Sequence, residues 1–138
     1  MTAEIIYQGE LRNELTHIFS GTKILTDAPL DNHGHAEAFS PTDLVAASAG
    51  ACALTIMGIA ARDRGFNIEN TKVEVTKEMS SNPRKISALR LEFTFPAKNY
   101  TEEQKRLIRH IAHNCPVMLS LHPEIRKDIV FYYMDENT

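Results

Sequence analysis

Two cysteines, Cys52 and Cys115, are the side chains best suited to covalent chemistry in this chain of 138 residues. A thiolate is a nucleophile, and two thiols within reach of each other can cycle between the reduced pair and a disulfide. A sulfenic acid formed on one sulfur is protected from irreversible over-oxidation when the second condenses with it. Two distant cysteines are also commonly plain buried thiols, and burial raises a thiol pKa and makes it inert. Both readings stand on residue type alone. The cysteines are 63 positions apart, and a disulfide requires Cα atoms within about 7 Å.

Other groups invite a metal reading. His33 and His35 flank Gly34, and His110 and His113 are one helical turn apart, a spacing that can share a zinc ion. The last two fall off the apolar face formed by Leu107, Ile108 and Ile111, and no ligand-spacing signature accompanies them. Solvent-exposed histidines are the commoner explanation, and no metal is expected. Asp43 is a carboxylate early in the segment that carries Cys52. It either complements the helix dipole and caps the helix or orients a nearby cation.

The elements that must position these residues are legible in outline. Ser40 is a good N-cap, Pro41 suits the first helical position, and Asp43 falls at the third. The helix they open runs to about Arg64 and is ended by Gly65. It is apolar nearly all round, which predicts burial on most sides. From Leu44 to Ala61 it has no charge, the lower edge of a spanning length. Its Ala, Gly, Ser and Thr content predicts a buried core helix instead of a membrane span. Before it come three short strands, around Ile5–Tyr7, Leu11–Ile18 and Lys23–Thr26, then a long loop from Asp27 to Ser40.

After the helix, Val73 and Val75 alternate with polar residues, Ser80 to Pro83 turns the chain, and Leu89, Leu91, Phe93 and Phe95 alternate again. This predicts a half-buried hairpin. Thr101 and Gln104 form a capping box for a second helix, which carries Cys115 on its apolar face and is interrupted at Pro116. Ser120 to Lys127 reads as a loop or short helix, and Ile129 to Met134 as a last strand. The order βββ-α-ββ-α-β predicts one α+β domain over residues 1–138.

Composition narrows the function classes. The chain is 43% apolar and 24% charged with a formal charge of −3, ordinary for a globular domain and no footprint for nucleic acid. Met1 to Glu4 shows neither a basic nor an apolar leader region, so a cytoplasmic protein is expected.

The stretch Phe39-Ser40-Pro41-Thr42-Asp43-Leu44 through Gly50-Ala51-Cys52-Ala53-Leu54-Thr55 resembles the first motif of the OsmC/Ohr family: a helix-opening proline, small residues, and a cysteine eleven positions on. Cys115-Pro116-Val117-Met118 resembles the second, a cysteine–proline pair closing a later helix. The order of elements matches from end to end. The resemblance implies two antiparallel sheet regions around a long buried central helix, an interleaved homodimer and a thiol peroxidase needing no cofactor. It implies that Cys52 attacks a hydroperoxide, that Cys115 resolves the sulfenic acid, and that a dithiol reductant regenerates the pair. It also implies a role in oxidative stress. A non-catalytic or small-molecule-binding relative is the alternative. The sequence departs from the family where peroxidase members carry a glutamate after the proline, because Thr42 stands there, and Asp43 is the nearest substitute. The Asp27–Ser40 loop holds no arginine, and Arg12 is the one arginine before the central helix.

Overall fold

The computed structural model describes residues 1–96 and 99–134. The chain forms two compact units, Met1–Val45 and Ala46–Thr138. The first is a three-stranded sheet of β1 (Ala3–Gly9), β2 (Arg12–His17) and β3 (Lys23–Asp27) in that order, antiparallel throughout. Glu10 and Leu11 both have positive φ in the β1–β2 connection, the turn geometry that matches the twist of paired strands. A short 3-10 turn, Leu30–Asn32, interrupts the following loop. Ile5, Tyr7, Ile24 and Leu25 of this sheet are exposed, and Phe19 at the β2–β3 tip is 96% exposed.

Helix α1 (Pro41–Arg64) begins in the last residues of the first unit and continues in the second. The second unit adds β4 (Lys72–Ser80), β5 (Lys85–Phe95), α2 (Glu102–Asn114), α3 (Pro116–Ser120) and β6 (Arg126–Tyr133). Its sheet has the order β4-β5-β6. The hairpin β4–β5 is antiparallel as expected, with Val75 opposite Leu91. The expectation of two antiparallel sheet regions needs correction at one strand, because β6 pairs parallel to β5, with Phe131 opposite Phe93. The cause is the connection: β5 returns through α2 and α3, long enough to bring the chain back in the same direction. Two boundaries also move. Pro116 opens the new short helix α3, and the last strand starts at Arg126.

The core of the second unit is the inner face of β5 (Leu89, Leu91, Phe93, Phe95) against Ala49, Ala53 and Met57 of α1 and Ile108 and Ile111 of α2. Small residues bring α1 down onto β4. A Cβ on Gly50 would sit 3.0 Å from Val73 Cγ1 and 3.2 Å from Val75 Cγ2. Most of α1 is buried or half-buried as expected, and one stripe through Thr55 and Ile59 is left exposed. Ala46, Ala49, Gly50, Ala53, Met57 and Ala61 face inward at helical spacing, whereas Val45 and Ile59, the latter 54% exposed, do not. An all-apolar helix has no polar stripe to mark which side lacks a neighbour. By length and composition α1 could cross a bilayer, but its inner face is part of a packed core.

Candidate functional site

In the second unit the structure brings the two cysteines together. Cys52 is half-buried on α1 and Cys115 is 1% exposed, and both are free thiols. Proline decides where Cys115 stands. α2 ends at Asn114, Cys115 takes an extended backbone (φ −67°, ψ 156°), and Pro116 occupies the first turn of α3, where a missing N–H costs nothing. The Cys115 carbonyl accepts the Leu119 amide at 3.0 Å. This break points the Cys115 side chain into the core cluster, against which Cys52 also packs.

Burial pushes the Cys115 thiol up from its ordinary value. Backbone amides of Met118 and Val117 oppose the shift, while a side-chain hydrogen bond with Cys52 and the charge Cys52 would carry add to it. Cys115 is therefore the buried member of the pair, and Cys52 is the half-exposed one. Such an arrangement can accept an electrophile at one sulfur and close a disulfide with the other. A cavity of about 530 Å³ is lined by Leu54, Thr55, Ile59 and Arg62 of α1 and by Phe66 and Ile68, and neither cysteine lines it.

Within the first unit the predicted residues have other partners. Asp43 accepts the Ser40 amide at 3.0 Å, and the Ser40 hydroxyl accepts the Asp43 amide at 3.0 Å. This is a reciprocal cap, so the carboxylate serves the start of α1. The chain's early arginine has a carboxylate clamp that the sequence did not reveal. Arg12 stands directly across from Asp27 in the β2–β3 register, its Nη2 is 3.8 Å from Asp27 Oδ2, and it ion-pairs with Glu37. Asp27 is buried, and its Oδ2 accepts the Glu37 amide at 3.0 Å. That amide above all, together with the Arg12 charge, holds the Asp27 carboxyl below its usual range. The Glu37 carboxylate in turn raises the Arg12 pKa. Only knowledge of the strand register could have paired Arg12 with Asp27, and Glu37 enters through its loop backbone.

His33 ends the 3-10 turn in a left-handed conformation. His110 and His113 are exposed on α2, His110 lies against Asn114, and no third ligand joins them among the described residues.

Comparison with known proteins agrees with this architecture. The family model described as OsmC-like protein matches residues 34–129. A Psychrobacter arcticus 273-4 protein, named for osmotic stress induction and a detoxification response, is 42% identical, covers 96% of each chain and superposes with a TM-score of 0.91. The organic hydroperoxide resistance protein OsmC of Legionella pneumophila shares the fold at 16% identity (TM-score 0.70, 96% of this chain and 97% of that one). The organic hydroperoxide resistance protein of Elizabethkingia anophelis does so at 15% (TM-score 0.73, 97% of both). None of the curated proteins matches the chain. With the family model spanning most of its length and the cysteine–proline motif lying within the matched range, this chain belongs to the OsmC-like family.

Proposed function

We propose that the chain is a thiol-dependent peroxidase that reduces hydroperoxides through Cys52 and Cys115. The observation that carries this reading is a half-exposed thiol packed against the core cluster that holds a buried one, within a family whose relatives include proteins named for organic hydroperoxide resistance. The Cys52 thiolate attacks one peroxide oxygen, an S–O bond forms as the O–O bond breaks, and the departing alkoxide takes a proton to leave as an alcohol. The Cys115 thiol then attacks the Cys52 sulfenic acid, forming the S–S bond and releasing water. An external dithiol reduces the disulfide by exchange. The high pKa of Cys115 suits the second role, since a protonated thiol does not compete for the peroxide.

The reading includes a homodimer working in the cytoplasm. Its support is the apolar surface one chain leaves uncovered: Ile5, Tyr7, Ile24 and Leu25 on the first sheet, and Val45 and Ile59 on α1. Apolar faces of this kind mark association sites.

The test is intact mass with thiol counting after one equivalent of cumene hydroperoxide is added to the reduced protein. Loss of two hydrogens and both thiols is expected, with Cys115→Ser stopping at an added oxygen on Cys52. A second reading, a binding protein that does not turn over peroxide, is favoured by Thr42 and by the use of Asp43 as a cap. An unchanged mass with two free thiols would select it.

A further inference from the structure

The C-terminal end of β6 carries a feature that the thiol chemistry does not use. Tyr133 stacks on Phe95 (centroids 4.9 Å apart, planes at 15°) and leans on Tyr100 at 5.9 Å. The Tyr100 hydroxyl donates to the Asn67 carbonyl at 2.8 Å. The Tyr133 hydroxyl is buried and has no hydrogen-bond partner among the described residues. A buried hydroxyl without an acceptor is uncommon in folded proteins and calls for a reason.

A cation stands over the same ring. Lys105 Nζ lies 4.7 Å from the centre of the Tyr133 ring. Its carboxylate partner, Glu102, is 3.8 Å away and 89% exposed, a pairing that holds an ammonium only weakly. Asn99, Tyr100, Lys105, Tyr133 and Met134 line a cavity of about 270 Å³, just below the span of roughly 300–1,000 Å³ typical of sites for drug-sized ligands. Burial raises the Tyr133 phenol to about 12, so it stays a donor throughout the physiological range.

We propose that this cavity binds a small aromatic carboxylate, whose ring lies among the Tyr100 and Tyr133 rings and the Met134 thioether and whose carboxylate accepts from Lys105 Nζ and the Tyr133 hydroxyl. The polar groups decide the ligand's charge. Lys105 is the cation among the residues that line the cavity, the described residues offer no acceptor to the Tyr133 phenol, and a carboxylate supplies two acceptor oxygens. The walls decide its body, because aromatic rings and a thioether favour a flat, polarisable partner. Neither cysteine lines the cavity, so the proposal stands or falls apart from the peroxide reading.

Benzoate is the probe, titrated into the reduced full-length chain by calorimetry and by tyrosine fluorescence, which no tryptophan obscures. Saturable binding of one benzoate per chain is expected. Affinity should fall about tenfold or more in Lys105→Met and for benzamide, which keeps the shape without the charge. It should fall several-fold in Tyr133→Phe, which keeps the stack on Phe95. An absence of saturable benzoate binding, equal affinity for benzoate and benzamide, or unchanged affinity in Lys105→Met would each overturn the proposal. If Lys105→Met loses its cooperative melting transition, the benzoate–benzamide comparison on the unaltered protein decides.

Discussion

Gly34→Ala is expected to open the loop that fixes Arg12. Gly34 packs so closely on Ala28 that an added Cβ would overlap the Ala28 carbonyl and lie 2.6 Å from its Cα. The obstacle is backbone, so no rotamer change relieves it, and the loop must move away. Two backbone bonds hold it there, from the Gly34 amide to the Pro29 carbonyl at 3.0 Å and from the Ala36 amide to the Ala28 carbonyl at 3.2 Å. Losing both costs about 1–3 kcal/mol at the usual net value of a hydrogen bond. The Glu37 amide, which binds Asp27 Oδ2, moves with them and loosens the clamp on Arg12. Amide hydrogen exchange over residues 27–39 reads the effect directly. A loss of 1–3 kcal/mol of local opening energy makes exchange there about 5- to 150-fold faster. Gly58→Ala is the control, since a Cβ there meets nothing within 4 Å, and it should be neutral or stabilising by up to about 1 kcal/mol. Exchange over 27–39 within about twofold of the parent protein would refute the reasoning, because the loop would then have absorbed the methyl without breaking its bonds.

Other substitutions test the remaining parts. The Asp27 carboxyl is held below its ordinary value of 3.8, so the stability it contributes is fully present above that pH and is lost as pH falls through the lower folded value. Asp27→Asn should therefore flatten the acid limb of a stability–pH curve, and an acid limb identical to that of the parent would contradict the assignment. Thr101→Ala removes the side chain that accepts the Gln104 amide at 3.1 Å and should cost about 1 kcal/mol, within a range of roughly 0.5–2, in urea denaturation. Because burial raises the Cys115 thiol, iodoacetamide at pH 8 should label it more slowly than an unperturbed thiol, with both cysteines labelling once guanidinium unfolds the chain. Peptide mapping that finds Cys115 labelled first would overturn the division of roles.

Local chemistry explains what was legible in the sequence. Ser40 and Pro41 announce the start of α1, Gly65 its end, and Thr101 with Gln104 the start of α2, because caps are satisfied by neighbours three residues away. The alternation from Leu89 to Phe95 marks the inner face of β5 for a similar reason. The direction of β6 was not legible. Alternation assigns a strand its faces but says nothing of which way it runs beside a partner some thirty residues back. The meeting of Cys52 with Cys115 depends on that same long connection, and no local pattern encodes it. Asp27 went unnoticed as a partner for Arg12 because cross-strand neighbours are defined by register, which the Glu10–Leu11 and Ser20–Gly21 turns set only jointly with side-chain packing.

The parallel pairing of β6 has a consequence for the order in which the chain is built. The β4–β5 hairpin needs only its own turn, so it can form as soon as Phe95 is available. β6 cannot join until everything from Pro96 to Ile125 has been made and folded back, and contacts that close a large loop form late. Cys115 lies inside that return path and Cys52 precedes it. During synthesis the half-exposed sulfur thus emerges well before its companion, and for that interval an oxidised Cys52 has no thiol of its own chain to meet. Under the proposed thiol chemistry, a newborn chain is then more vulnerable to irreversible oxidation than a finished one, a liability written into the connectivity of the sheet.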